Sequence, residues 1–226
     1  MCERYALPDQ SAAEREFVPT ERWWKFARRF NVSAGQYVPA IRLHGEQSEA
    51  VMMRWGLIPA WAEGKAIGQP PRCIGVGNIE DSTLSRVLWQ SGQRCILPAS
   101  GFYAWRLTTA KYRQPHFVNL VGRSVFGLAA VWDRSVGDDD DVIESCAIVG
   151  VPANALMRQI ANTECHMPAI LMRKDYERWL CGSAADATSA LQTYSAEGMQ
   201  AHAVSPRVNS PLSDDVGLIR PVRLLG

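Results

Sequence analysis

The feature that most restricts the fold of this sequence is a series of short apolar runs, each bounded by turn-forming residues. The runs are rich in β-branched and aromatic residues, a composition typical of β-strands. They lie at 37–43, 51–55, 94–97, 102–106, 116–120, 125–131, 142–149 and 201–205. Because no regular alternation of strand and helix accompanies them, the sequence predicts an α+β fold built mostly on antiparallel sheet.

Segments with helical character are fewer and stand between these runs. Their apolar spacing predicts helices over 20–30, 82–90, 152–160 and 174–180. The stretch 56–71 is punctuated by Gly and Pro and is predicted to be a loop. Gly137 and the aspartates that follow it are predicted to form a solvated hairpin loop, because the ligand spacing of a calcium-binding loop is missing.

The chain has 226 residues with 24 basic and 23 acidic side chains, so its formal net charge is +1. A hydrophobic fraction of 47% supplies a sizeable core, which excludes disorder over the bulk of the chain. The length fits one large domain or two small ones. The near-neutral charge excludes a protein that coats nucleic acid through bulk positive potential, although a local basic site is compatible with it.

Targeting and metal-binding patterns are missing from the sequence. No segment has the pattern of a signal peptide or of a membrane span, so we expect a cytoplasmic protein with reduced thiols and no membrane partner. The histidines are scattered, and the adjacent Cys165 and His166 are a weak zinc signal. We therefore expect neither a metal nor a cofactor.

Cys2 carries the main chemical argument. Removal of Met1, which is common before a small second residue, would leave an amine and a thiol on neighbouring carbons. The α-amine has a reference pKa of about 7.7–8.0, so part of it is neutral and nucleophilic at pH 7. The amine can condense with an aldehyde, and the thiol can close on the same carbon to give a thiazolidine. The alternative is a chemically idle cysteine in a frayed terminus.

Six segments of the chain form an ordered set of motifs. They are MCERY at the start, RFNV at 29–32, RWGLIPAWA at 54–62, RCILPASGFYAW at 94–105, HMPAIL at 166–171, and VS with VN between 204 and 209. The first resembles M-C-G-R-F/Y, and the fourth resembles a segment ending in G-F/W-Y-E-W. In this order the segments resemble the SRAP family, whose name stands for SOS response-associated peptidase domain. The resemblance covers nearly the whole chain, from Cys2 to about Val222.

The resemblance implies one SRAP-like domain over residues 1–226, with mostly antiparallel sheets in a barrel-like core and flanking helices. It implies a monomer that binds single-stranded DNA at abasic sites in the DNA damage (SOS) response. The N-terminal Cys2 would trap the ring-opened sugar aldehyde as a thiazolidine. The same site would support removal of the residue before Cys2 and abasic-site lyase chemistry. It implies a cytoplasmic protein that is nucleoid-associated when bound to damaged DNA.

The sequence departs from the family pattern at several positions that carry its chemistry. The family's N-A-R-x-E falls on 76–80, where Val76 replaces the Asn and Asn78 replaces the Arg. Ala104 replaces a Glu that is expected beside the cysteine, and Gly150 replaces a Thr. Ala104 cannot transfer a proton, and a positioned acid or base typically contributes about 10²–10⁴-fold to a rate.

Glu164 and His166 are the candidates to restore acid–base function. In the family's H-x-R-M-P, the His falls on Glu164 and the Arg on His166, so one carboxylate and one imidazole remain in exchanged positions. An imidazole with a reference pKa near 6.5 suits proton transfer at neutral pH, although His166 can equally bond to a backbone carbonyl. We therefore expect Cys2, Glu164 and His166 to be catalytic.

Four residues are predicted to bind DNA. Arg4 matches the family Arg that would hold a phosphate beside the trapped sugar, and Arg86 lies in a segment that resembles one contacting the strand. Trp61 can stack on bases, with core packing as the alternative. Asn31 is expected to orient the sugar or the N-terminus.

Two further readings of the sequence stay open. One is a binding module of the same fold that has lost the chemistry, as the substitutions at 76, 78, 104 and 150 suggest. The other is an N-terminal-nucleophile hydrolase or peptidase that depends on Cys2 and is unrelated to DNA. Trp55 and Trp105 stand in strand-like runs and are expected in the core.

Overall fold

A computed structural model describes residues 3–62, 69–78, 83–109, 111–137 and 141–223, without the side chains of residues 78 and 83–86. The strands in chain order are β1 (Arg4–Leu7), β2 (Glu21–Arg22), β3 (Arg29–Ser33), β4 (Tyr37–His44), β5 (Gln47–Trp55), β6 (Cys73–Gly75), β7 (Arg94–Ala99), β8 (Gly101–Leu107), β9 (Arg113–Leu120), β10 (Phe126–Val136), β11 (Val142–Pro152), β12 (His166–Pro168), β13 (Ile170–Leu171) and β14 (Met199–Ala203). The helices are α1 (Gln10–Phe17), α2 (Thr83–Gln90), α3 (Ala155–Ile160), α4 (Tyr176–Cys181) and α5 (Ala184–Ala190).

Five strands close into a barrel in the order β4, β5, β11, β10, β7. Antiparallel pairs join β4 to β5, β4 to β7, β7 to β10 and β10 to β11. The barrel closes where β5 pairs in parallel with β11, with Arg54 opposite Ser145 and Trp55 opposite Cys146. Trp55 and Cys146 are fully buried, so this seam belongs to the hydrophobic core, as predicted for Trp55.

A second sheet of five antiparallel strands has the order β14, β9, β8, β1, β3. Its strand β1 lies between β8 and β3, and the Tyr5 ring meets the Trp55 ring edge to face with centroids 5.2 Å apart. One hydrophobic cluster therefore includes residues of both sheets. The two sheets confirm the predicted α+β class, with mostly antiparallel strands in a barrel-like core and helices beside it.

All eight segments predicted as strands contain strands, and several of these extend further than expected. The predicted hairpin loop joins β10 to β11, with Val136 opposite Val142, and residues 138–140 lie outside the described part. Three predicted helices correspond to α2, α3 and α4, and residue 82, the first of the predicted helix at 82–90, lies outside the described residues. In the part of the chain that the structure describes, no helix is long and apolar enough to cross a membrane.

The helix predicted over 20–30 is wrong. The segment forms β2, and irregular chain then leads into β3. Trp24 is buried and meets Phe26 edge to face with centroids 5.3 Å apart, whereas Trp23 is 70% exposed. Inward positions two residues apart have the period of extended chain and not that of a helix. The Trp24 indole also donates to Glu14 in α1, a helix that the sequence did not predict.

Gly101 allows a close approach between β8 and β9. A Cβ at this position would lie 2.2 Å from the ring atom Cζ of Phe117 and 2.8 Å from the carbonyl oxygen of Val118. Gly101→Ala is therefore expected to lower the free energy of unfolding by about 1–3 kcal/mol, as overpacking does. Denaturant unfolding measures the change. Gly77→Ala is the matched control, since a Cβ there meets no atom within 4 Å. Equal stability of the two variants would contradict this account of Gly101.

Candidate active site

A cavity lies at the point where β1 begins. Strand β1 pairs with β8 at Tyr5–Phe102 and Ala6–Gly101, and β8 then continues to Leu107 while pairing with β9 on its other side. The edge of β8 beyond the start of β1 lines a cavity of about 590 Å³. Glu3 and Arg4, at the start of β1, therefore line this cavity.

The opposite wall comes from α3 and the segment that leads into β12. Met157, Ala161, Glu164 and His166 line the cavity from this side. A pair of hydrogen bonds ties the two walls together at one end, because Asn162 accepts from the backbone N–H of Leu107 at 2.9 Å and donates to its carbonyl at 3.0 Å. The cavity thus lies between the second sheet and an edge of the barrel sheet.

Arg4 is held firmly in the cavity wall. Its guanidinium donates to Asn31 Oδ1 at 3.1 Å and to the backbone carbonyl of Asn209 at 2.8 Å. Burial lowers the pKa of Arg4, and the nearby Glu3 and Tyr103 oppose this shift. Arginine stays charged at neutral pH in proteins. Arg4 is therefore a positioned cation whose planar group suits an anionic oxygen.

Asn31 lies behind Arg4 and does not line the cavity. Its side chain is fully buried, and its amide nitrogen donates to the carbonyls of Val208, Ser210 and Ser213 at 3.2, 2.9 and 2.7 Å. The amide oxygen accepts from Arg4. Asn31 thus fixes the 208–213 loop and orients the guanidinium of Arg4.

Glu164 and His166 lie in the same cavity as Arg4. The N–H of Glu164 donates to the carbonyl of Ala161 at 2.8 Å, and the turn closed by this hydrogen bond positions Glu164. His166 begins β12 opposite Pro152 in β11, and its Nδ1 lies 2.9 Å from Cys165 Sγ. The structure therefore brings one carboxylate and one imidazole to the wall facing β8.

The other residues predicted from the sequence are distributed as follows. Cys2 lies outside the described residues, but Glu3, to which it is covalently joined, lines the cavity. Arg86 lies on α2, and its side chain is outside the described part. Trp61 occupies a short 3₁₀ turn at Ala60–Ala62, is 64% exposed and is not among the residues that line the cavity.

Trp105 differs from the expectation that it belongs to the core. It is half-buried, lines the cavity and donates its indole N–H to Asn209 Oδ1 at 2.9 Å. The expectation holds only in part: Trp105 packs against a hydrophobic cluster that includes Tyr103 and Phe117, but β8 continues past its last pair with β1 and leaves Trp105 at the cavity as well. A strand-like apolar run cannot show where its neighbouring strand ends.

The cavity residues that the sequence did not predict include Glu3, Lys111, Tyr112 and Arg113. Lys111 and Tyr112 lie in the connection between β8 and β9, Arg113 begins β9, and Tyr112 is 45% exposed. The feature of the sequence that could have identified the hairpin residues is their position next to the GFYAW segment. The two cations on this hairpin add positive charge opposite Glu164.

Two buried titratable groups lie beside the cavity. The Tyr103 hydroxyl donates to the carbonyl of Phe30 at 2.6 Å, and burial raises the pKa of Tyr103 well above its ordinary value. His116 stands directly opposite Ala104 on β9, and burial lowers its pKa despite the contact of Nδ1 with the carbonyl of Gln114. Both groups are therefore neutral at pH 7.

The cavity does not have the ligand set of a metal site. Among the described residues, no group of three or more His, Cys, Asp or Glu side chains is arranged to hold a metal ion. Cys165 and His166 form a contact pair and lack a third ligand in that part of the chain. The described wall offers Arg4 for anion binding and Glu164 and His166 for proton transfer.

The fold and the cavity define an α+β barrel protein whose N-terminal strand opens into a polar cleft. The family model "SOS response associated peptidase (SRAP)" matches residues 1–211, and the chain belongs to this family. It is 29% identical over 214 residues to the abasic site processing protein YoqW of Bacillus subtilis, covering 93% of this chain and 90% of that one. It is 25% identical over 243 residues to the abasic site processing protein HMCES of Pongo abelii, covering 89% of this chain and 67% of that protein.

Solved structures show the same fold. A protein from Bacteroides thetaiotaomicron superposes with a TM-score of 0.85 at 23% identity, over 98% of this chain and 100% of that one. A protein from Bordetella bronchiseptica superposes with a TM-score of 0.78 at 24% identity, over 90% of this chain and 100% of the other. These similarities establish the fold.

Proposed function

We propose that this protein recognises abasic sites in single-stranded DNA and, after removal of Met1, forms a covalent thiazolidine crosslink through Cys2 in the response to DNA damage. The observation that carries the proposal is the cavity at the start of β1. It gathers a fixed cation, a carboxylate and an imidazole next to the residue that follows Cys2. The relatives that are named abasic site processing proteins support the same substrate.

The proposed reaction needs no external oxidant or cofactor. The α-amine of Cys2 adds to the aldehyde carbon of the ring-opened sugar, and a proton moves from nitrogen to oxygen. The resulting carbinolamine loses water to give an imine. The thiol then adds across the C=N bond, forming a C–S bond while its proton goes to nitrogen. The sum is one thiazolidine and one water, and every step after capture is intramolecular.

Some of these residues bind the DNA and others transfer protons. Arg4 binds the phosphate next to the abasic sugar, and Asn31 holds Arg4 in place. Glu164 and His166 carry protons to and from the reacting atoms. Trp61, which is exposed, stacks on a base of the strand, and Arg86 contacts the backbone. In this proposal the chain acts in the cytoplasm as a single-domain monomer.

One observation favours a second candidate function. Ala104 lines the cavity and carries no titratable group where the family pattern has Glu. A chain that has lost its chemistry would still bind the strand through Arg4 as a recognition module. Such a protein would show salt-sensitive binding with a modest slope, since few phosphates are contacted.

A covalent binding assay separates the two functions. Intact mass first establishes that Met1 has been removed, and the protein is then mixed with a single-stranded oligonucleotide that carries one abasic site. We expect a band on a denaturing gel that has the summed mass of protein and DNA and persists without a reducing agent. An undamaged oligonucleotide is the control. Binding to abasic DNA without any covalent band would contradict the crosslinking proposal and support the recognition module.

A further inference from the structure

We propose that Glu3 supplies the carboxylate that moves protons during aldehyde capture at Cys2, from a position that faces Ala104. The inference rests on the proposed crosslinking function and adds a catalytic residue to it. Three observations carry the proposal: the register of β1 against β8, the small side chain at 104, and the presence of Glu3 in the cavity wall.

The register of β1 directs Glu3 toward Ala104. Strand β1 runs antiparallel to β8 with Tyr5 opposite Phe102 and Ala6 opposite Gly101. Each step back along β1 is a step forward along β8, so extending this line past the last pair leads through Arg4 and Tyr103 to Glu3 and Ala104. All four of these residues line the cavity.

Ala104 leaves room for the carboxylate of its neighbour. Its side chain ends at Cβ, so the cavity next to it is open to a longer side chain from the facing strand. The family pattern has Gly at the third position and Glu in the G-F/W-Y-E-W segment, whereas this chain has Glu3 and Ala104. If positions 3 and 104 face each other, the carboxylate of Glu3 lies in the part of the cavity where the family pattern has the carboxylate at position 104.

Glu3 is also the residue covalently joined to Cys2, which keeps its carboxylate near the reacting amine. Its Oε1 lies 3.6 Å from the Arg72 guanidinium, and its side chain is 53% exposed, so it can exchange protons with solvent. Glu164 and His166 occupy the opposite wall. The cavity thus offers proton-transfer groups on two of its walls.

Glu3 transfers two protons from the nitrogen to the departing oxygen. As the amine attacks, the Glu3 carboxylate takes one proton from the nitrogen and delivers it to the alkoxide oxygen, which gives the carbinolamine. It then takes the second proton from the nitrogen and delivers it to the hydroxyl, which leaves as water when the C=N bond forms. Glu3 ends the step ionised, as it began, and no electron is gained or lost.

The test compares single-turnover crosslinking rates at saturating abasic DNA, so that differences in DNA affinity do not enter. Glu3→Gln is expected to slow crosslinking by about 10²-fold, the lower end for a positioned acid–base group. Glu3→Gly combined with Ala104→Glu is expected to return the rate to within about tenfold of wild type, because the carboxylate is restored from the facing position. Unchanged thermal unfolding establishes that the variants are folded.

Arg72→Gln is the matched control, because it breaks the Glu3–Arg72 ion pair and keeps the carboxylate. Its rate should stay within about fivefold of wild type, as an exposed ion pair has a small energetic effect. A wild-type rate in Glu3→Gln, or failure of Ala104→Glu to restore the Glu3→Gly rate, overturns the inference alone. No crosslink from wild type overturns the proposed function and this inference with it.

Discussion

Replacing Cys2 with alanine is expected to eliminate the heat-stable crosslink while leaving a reversible adduct. Alanine is small enough for Met1 to be removed, so the α-amine still condenses with the aldehyde to an imine. Without the thiol the imine cannot close to a thiazolidine, and water reverses it. Intramolecular reactions reach effective molarities of about 10⁵–10⁸ M, so we expect the stable product to fall by about 10³-fold or more.

Two gels that differ in one reagent measure this effect. With borohydride present, which reduces an imine to a stable amine, Cys2→Ala should still give a covalent band; without borohydride the band should be lost. Cys181→Ala is the control, because Cys181 is exposed at the end of α4 and is not among the cavity-lining residues. A stable band from Cys2→Ala without borohydride would show that another nucleophile captures the sugar.

The strands could be predicted because their residues have local preferences that agree with the fold. Runs such as 125–131 are apolar on both faces and include Val and Phe, and they form barrel strands that are buried on both sides. The helix prediction at 20–30 was wrong because the spacing of its aromatic residues is compatible with both a helix and extended chain. Only the packing of Trp24 and Phe26 onto the core decides between them. Strand β1 was missed because four residues acquire strand geometry from β3 and β8, not from their own composition.

The candidate site was predictable where its residues lie in motifs. Arg4, Glu164 and His166 were identified in that way, and the structure places them in one cavity. Glu3 and the hairpin residues around Tyr112 could not be found, because their roles depend on register and on where β1 begins. The burial of Asn31 was equally hidden, since it depends on a loop that lies far from it in sequence.

The largest stability loss is expected at Arg42, which links four of the five barrel strands. Its guanidinium donates to Glu49 at 2.5 Å and to Glu144 at 2.7 Å, and its carbon lies 4.3 Å from the centroid of the Trp132 ring. Burial lowers the pKa of Arg42, but its hydrogen bonds to Glu144 and Glu49 and their negative charges outweigh this effect, so the net pKa is raised. Arg42 is thus a charged residue held between the carboxylates of Glu49 and Glu144.

Arg42→Ala is expected to lower the free energy of unfolding by about 3–5 kcal/mol, because it leaves two carboxylates without their cation in a water-poor site. Glu49 is 10% and Glu144 24% exposed, so water can compensate little. Urea denaturation of wild type and variant gives the difference. Arg207→Ala is the matched control, since the Arg207–Asp215 pair has the same 2.5 Å distance but side chains 57% and 47% exposed. Its expected cost is much smaller, because an exposed ion pair contributes little to stability.

A triple variant shows whether the stability decrease in Arg42→Ala comes from unpaired carboxylates or from lost packing. If the unpaired carboxylates cause it, then replacing the whole group with Arg42→Met, Glu49→Leu and Glu144→Leu should recover most of the stability, because a buried ion network often contributes little over apolar residues of similar volume. A triple variant as unstable as Arg42→Ala would instead assign the cost to the cavity left beside Trp132. Equal losses in Arg42→Ala and Arg207→Ala would show that burial does not strengthen the Arg42 network.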